Sequence, residues 1–168
     1  MKHLASVVIH VAFAVTAFSA QAQTTSTNAA DTDFVRRASS AGLTEIALGK
    51  LAATQASSDD VKKFAARMVA DHTKSNEDLG KLAGSKGVQI AIAPEPAQQQ
   101  LIDRMKDLEG ARFDREYADA AVRDHKLTSG LYELEATKGQ DAEIREFARK
   151  SLPMLKEHED LADSLPPF

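Results

Sequence analysis

Apolar residues recur along this chain at steps of three and four, a period that admits helices and little else. The first series is Phe34, Ala38, Ala41, Glu45, Leu48, Ala52 and the second Val61, Ala65, Met68, His72, Ser75, Leu79, Leu82. A third runs Phe113, Tyr117, Ala120, Asp124, Leu127, Leu131, Leu134, and a fourth Ile144, Ala148, Ser151, Leu155, His158, Ala162, Leu165. The punctuation agrees: Ser57-Ser58-Asp59-Asp60 reads as an N-terminal cap with acids in the first turn, and Gly84, Gly110 and Gly139 close helices. The spacing predicts long helices over residues 33–55, from 59 to Gly84, 113–139 and 141–164, with a short one over 97–109. VQIAIAPEP, residues 88–96, should be extended or irregular, because proline restricts the residue before it. Pro153 should kink the last helix.

Four long helices joined by two short turns and one long crossover describe a four-helix bundle. The crossover from Gly84 to Gly110 spans the height of the bundle, so the second and third long helices run parallel. The expected class is therefore all-α, a ferritin-like four-helix bundle in up-down-down-up order whose crossover carries a short extra helix. An internal repeat supports two helical hairpins. LAATQASSDDVKKFA (51–65) lines up without a gap on LEATKGQDAEIREFA (134–148), and upstream, with one four-residue turn inserted, Phe34 falls on Phe113 and Glu45 on Asp124.

The N-terminus, Met-Lys-His followed by the apolar run of residues 4–18 and then SAQAQ, reads as a secretory signal peptide over residues 1–22, cleaved after Ala22. Residues 23–32 read as a disordered leader and 33–165 as the bundle domain. The apolar run is short for a span and no second one follows, so no transmembrane segment is expected after processing. The chain has no cysteine, which excludes a disulfide framework and a lipid-accepting anchor. A bacterial periplasm is the expected location. Without Lys2, 20 basic residues face 25 acidic ones, a net charge of 20 − 25 = −5, which argues against nucleic acid as partner.

Polar side chains interrupt the apolar stripes. Of the histidines beyond residue 22, His72 and His158 lie in the seams and His125 beside one, while Glu45 and Asp124 are seam carboxylates. The figure Val-x-Asp-His occurs twice, at 69–72 and 122–125. At a rise of about 1.5 Å per residue, Glu45, His72, His125 and His158 fall within about two helical turns of one another near mid-bundle. Charge at such a position costs several kcal/mol unless paired.

The segments GLTEIALGKLA, VKKFAARMVADH, LEGARFDREY with VRDH, and a last helix with LP and KEH resemble the DUF4142 family of exported bacterial proteins. The resemblance covers about residues 33–163 and implies a periplasmic, ferritin-like helical bundle without a settled activity. Ferritin-like di-iron sites pair a Glu on one helix with Glu-x-x-His on its partner. Here Val69, Val122 and Leu155 stand three residues before the histidines, so the bridging carboxylates are missing and ferroxidase or oxygenase chemistry is not expected. No catalytic residue is assigned.

Besides a catalytic acid/base pair without metal, weakened by the lack of a nucleophile motif, Gly-rich phosphate loop or Ser-His-Asp order, three readings of the polar residues stay open. Each imidazole donates to a neighbouring carboxylate and the network fixes helix register. Alternatively, Glu45, His72, His125 and His158 bind one transition-metal ion, zinc, copper or iron, with Asp71 and Asp124 behind them. In the third, the bundle is a stress-protection or protein-interaction module whose interior is only scaffold. Under the first two, His72 and His125 should converge, with Glu45 as their carboxylate.

Overall fold

A computed structural model of the chain describes residues 28–166. Five helices occupy them: α1 (Ala29–Gln55), α2 (Asp59–Ser85), α3 (Pro96–Met105), α4 (Gly110–Lys138) and α5 (Ala142–Asp163). None of these helices is long and apolar enough to cross a membrane. The expected signal peptide, residues 1–22, and residues 23–27 of the expected leader lie outside the described residues.

The order of the helices is fixed by two buried carboxylates. Asp114, near the start of α4, accepts the backbone N–H groups of Ser57 at 3.1 Å and Ser58 at 3.0 Å, and the Ser57 hydroxyl. The start of α4 therefore lies beside the α1–α2 turn. Asp31, in the first turn of α1, accepts Gln140 N–H at 2.9 Å and Asp141 N–H at 2.8 Å, placing the start of α1 beside the α4–α5 turn. With α1 up, α2 and α4 run down and α5 up. Each carboxylate saturates donors that a tight turn leaves unpaired in the interior. Replacing Asp114 by Ala should cost about 2–4 kcal/mol, several ordinary hydrogen bonds' worth, measurable as a lowered urea midpoint.

The two anchors stand in one register. A shift of 83 positions carries Asp31 to Asp114, Ser57 to Gln140 and Ser58 to Asp141, and the same shift carries the buried Phe34 to Tyr117, Ala38 to Ala121 and Val61 to Ile144. The two hairpins thus correspond without a gap along their length, and the four-residue insertion expected upstream is not needed.

Several boundaries depart from expectation. α1 begins at Ala29 because the Asn28 side chain caps it, accepting Ala30 and Asp31 N–H at 2.7 and 2.9 Å, so residues 29–32 are helix rather than leader. Gly110 does not end the short helix, which stops at Met105; at φ 61° it opens α4. The buried seam of α4 is Phe113, Tyr117, Ala121, His125 and Tyr132, leaving Leu127 70% and Leu134 61% exposed. α5, by contrast, contains Pro153 within its span as expected.

The crossover is strapped along α1. Ser39 Oγ accepts Ala91 N–H and Ser40 Oγ accepts Glu95 N–H, both at 2.8 Å, while Gln55 Nε2 donates to the carbonyls of Lys106 and Leu108. α1 and α2 approach closely at Gly49, where a Cβ would stand 2.9 Å from the Ala65 carbonyl oxygen. Two apolar clusters fill the bundle, one around Leu48, Phe64, Met68, Phe113 and Tyr117, the other around Phe34, Leu79, Tyr132, Ile144 and Leu155. Ser39, Ser40 and Thr44 are also buried on α1, and between the clusters each long helix contributes one buried ionisable side chain: Glu45, His72, His125 and His158.

Candidate metal centre

These four residues form a buried layer across the bundle, none more than 6% exposed. The three imidazoles make a near-equilateral triangle with ring centroids 5.3–5.5 Å apart. One nitrogen from each lies within 4.8 Å of the others. Helical spacing alone brings them to one height; rotation of α2, α4 and α5 about their own axes points them at each other.

Their outer contacts decide which nitrogens face inward. His125 Nδ1 donates to the Ala121 carbonyl one turn back at 2.8 Å, which leaves the Nε2 lone pair directed at His72 Nε2, 3.4 Å away. His158 Nε2 donates to Asp71 Oδ2 at 2.9 Å, and its Nδ1 is buried without a partner. Arg67, one turn before Asp71, holds the same carboxylate at 3.2 Å and reaches Glu157 at 2.8 Å. Burial would raise Asp71, but the hydrogen bonds from His158 and Arg67 outweigh it and hold the carboxyl below its usual range.

Burial also keeps the imidazoles uncharged. Desolvation, then the proximity of His125 and His158, brings His72 down to about 3. Desolvation brings His125 down to about 4 against the opposing Ala121 carbonyl, and lowers His158 against the opposing Asp71. All three are neutral donors at pH 7.

Glu45 sits at one remove. Its closest approach to an imidazole is 3.9 Å, from Oε1 to His125 Nδ1, the nitrogen already given to Ala121. Its Oε2 has no hydrogen-bond partner, and burial, helped by Asp124, pushes its carboxyl up to about 8. Asp124 pairs with Arg123 at 3.5 Å and forms no hydrogen bond or ion pair with a histidine among the described residues. The carboxylate that holds an imidazole is thus Asp71, on His158, and not Glu45 on His72. A void of about 10 Å³, near the least that holds a water, is lined by Glu45, His72 and His125 among others. Arg67 was missed in the sequence although its four-residue spacing from Asp71 signals the pair.

Among solved structures, a conserved hypothetical protein from Mycobacterium tuberculosis shares the fold, with a TM-score of 0.59 and 20% identity over 83% of this chain and 92% of that one. No curated protein matches the chain in sequence. The family described as "Domain of unknown function (DUF4142)" matches residues 16–165, a span that contains all five helices, both carboxylate anchors and the histidine layer. The chain belongs to the DUF4142 family.

Proposed function

We propose that this is an exported, periplasmic protein that binds one transition-metal ion through His72, His125 and His158. The observation that carries the reading is the set of free nitrogens: two imidazoles have one N–H tied to Ala121 and Asp71, which leaves His125 Nε2 beside His72 Nε2 and His158 Nδ1 buried without a partner. The 3.4 Å between His72 Nε2 and His125 Nε2 matches the edge of about 3.3 Å in a tetrahedron with metal–nitrogen bonds of about 2.0–2.1 Å. Asp71 supports His158 as carboxylates behind metal-bound histidines commonly do. Three neutral imidazoles suit zinc, copper or iron and leave a position for water. The void beside Glu45 gives that water a place and a carboxyl partner, with Asp124 behind it.

A network that only fixes helix register would leave fewer loose ends. Buried polar atoms are nearly always paired, and of the seven buried side-chain atoms without a hydrogen-bond partner among the described residues, His158 Nδ1 and Glu45 Oε2 both lie in this layer. The interaction-module reading draws on surface charge alone and explains neither atom.

Untagged protein from a periplasmic extract should carry close to one equivalent of metal, beginning after Ala22. Stripping it with chelator should lower the melting temperature, and metal at about 1,000 times Kd should restore about 4 kcal/mol of stability. A protein that retains no ion and whose melting temperature ignores zinc, copper and iron overturns the reading.

A further inference from the structure

A larger cavity, about 700 Å³, lies between α1, α3 and α4, outside the histidine layer, with Glu45 on its wall. It does not depend on the metal reading. Its composition is two-sided. Leu101, Met105, Leu108 and Leu127 give it an apolar lining, and Leu127, from the part of α4 that turns away from the core, is 70% exposed there. Arg104 from α3 and Arg112, Arg115 and Arg123 from α4 line the same cavity. Arg123 is paired with Asp124, but Arg104 and Arg112 form no ion pair among the described residues.

Glu45, Glu116 and Asp124 line the cavity too, so four guanidinium groups face three carboxyls, one of which, Glu45, is pushed up to about 8 by burial; in a protein of net charge −4 the wall is a local reversal of sign. Guanidinium forks match carboxylate, sulfonate and phosphate oxygens two at a time. The volume falls within the usual range for a small-molecule site. We propose that this cavity binds a small anionic amphiphile, a medium-chain carboxylate being the simplest case, with its head on Arg104 and Arg112 and its chain on Leu101, Leu108 and Leu127. The crossover builds the site: Gln55 holds the end of α3 through the carbonyls of Met105, Lys106 and Leu108, setting α3 as one wall.

The test is calorimetric titration of the mature protein with decanoate, decanol and decyltrimethylammonium, with decanoate repeated on phosphatidylcholine vesicles to separate a free ligand from a lipid surface. Decanoate should bind at least about tenfold more tightly than decanol, and the cation not at all. The double variant R104Q/R112Q should lose that preference while still binding decanol, and L127N should weaken both. Both variants alter exposed side chains, so helicity by circular dichroism should be unchanged. Equal affinity for decanoate and decanol, retention of the preference in R104Q/R112Q, or binding only in the presence of vesicles overturns the proposal.

Discussion

Replacing His158 with Ala should lower zinc affinity by about two to three powers of ten, because about 10–16 kcal/mol of binding spread over three imidazoles and a water leaves roughly 2.5–4 kcal/mol for each. His72→Ala should do the same. Asp71→Asn is the more telling variant. It keeps the shape and still accepts from His158 Nε2, but it removes the charge that makes the ring a better donor, and affinity should fall about 10–100-fold. Because the Asp71 side chain is 35% exposed and also held by Arg67, the metal-free variant should melt close to wild type. A purely structural network predicts the opposite ranking, with a lower melting temperature in Asp71→Asn and no dependence on zinc. Isothermal titration with zinc and a thermal melt of each metal-free variant separate the two.

The layer of four polar residues was legible in the sequence, since counting rise along each helix brings Glu45, His72, His125 and His158 to one level. Their pairing was not. One residue along a helix is a turn of about 100°, so Asp71 and His72 face different neighbours, and the rotation of α2 that aims His72 at His125 aims Asp71 at α5. Rotation is set by packing of whole faces, which no single stripe reveals. The seam of α4 shows it: Leu127 and Leu134 continue the spacing begun by Phe113, yet the core follows Ala121, His125 and Tyr132.

Repetition misled for a related reason. The two Val-x-Asp-His figures are 53 residues apart, whereas the hairpins correspond at 83, so His72 answers to Leu155 and His125 to Gly42. No histidine of the layer has a histidine counterpart, and the site breaks the pseudo-symmetry of its scaffold. The shift of 83 was legible around the turns, at 51–65 and 134–148, but was lost upstream because Asp31 sits in a polar stretch with no periodic signal of its own. Its role becomes visible only where its carboxylate meets Gln140 and Asp141.

Stability of the metal-free protein should peak near pH 6.5, because its buried groups titrate in opposite senses. The histidines have folded-state values below the ordinary 6.5, with His72 at about 3 and His125 at about 4. The stability they contribute is present above pH 6.5 and is lost as pH falls toward those values, since the unfolded chain takes up the protons first. Two carboxyls run the other way. Glu45, desolvated and near Asp124, is pushed up to about 8, and Glu135, desolvated and beside Asp31, to about 7, both from 4.5. Their contribution is complete below pH 4.5 and is lost as pH rises through the folded values. Between 4.5 and 6.5 His72 and His125 offset the two carboxyls, and His158, lowered as well, tips the balance toward stability that rises with pH; above 6.5 the carboxyls dominate. At about 1.4 kcal/mol per proton per pH unit, and with the unfolded histidines still half protonated at 6.5, stability should fall by about 1–2 kcal/mol from pH 6.5 to 8. On the acid side the fall steepens below pH 4.5, where the carboxyls no longer offset the histidines. Glu45→Gln keeps the shape and removes the larger carboxyl contribution, so its urea midpoint should stay nearly level from pH 7 to 8 while the acid limb is unchanged. Wild type and Glu45→Gln falling in parallel above pH 7 would show that Glu45 is ionised in the folded protein and that the polar layer is solvated on the α1 side.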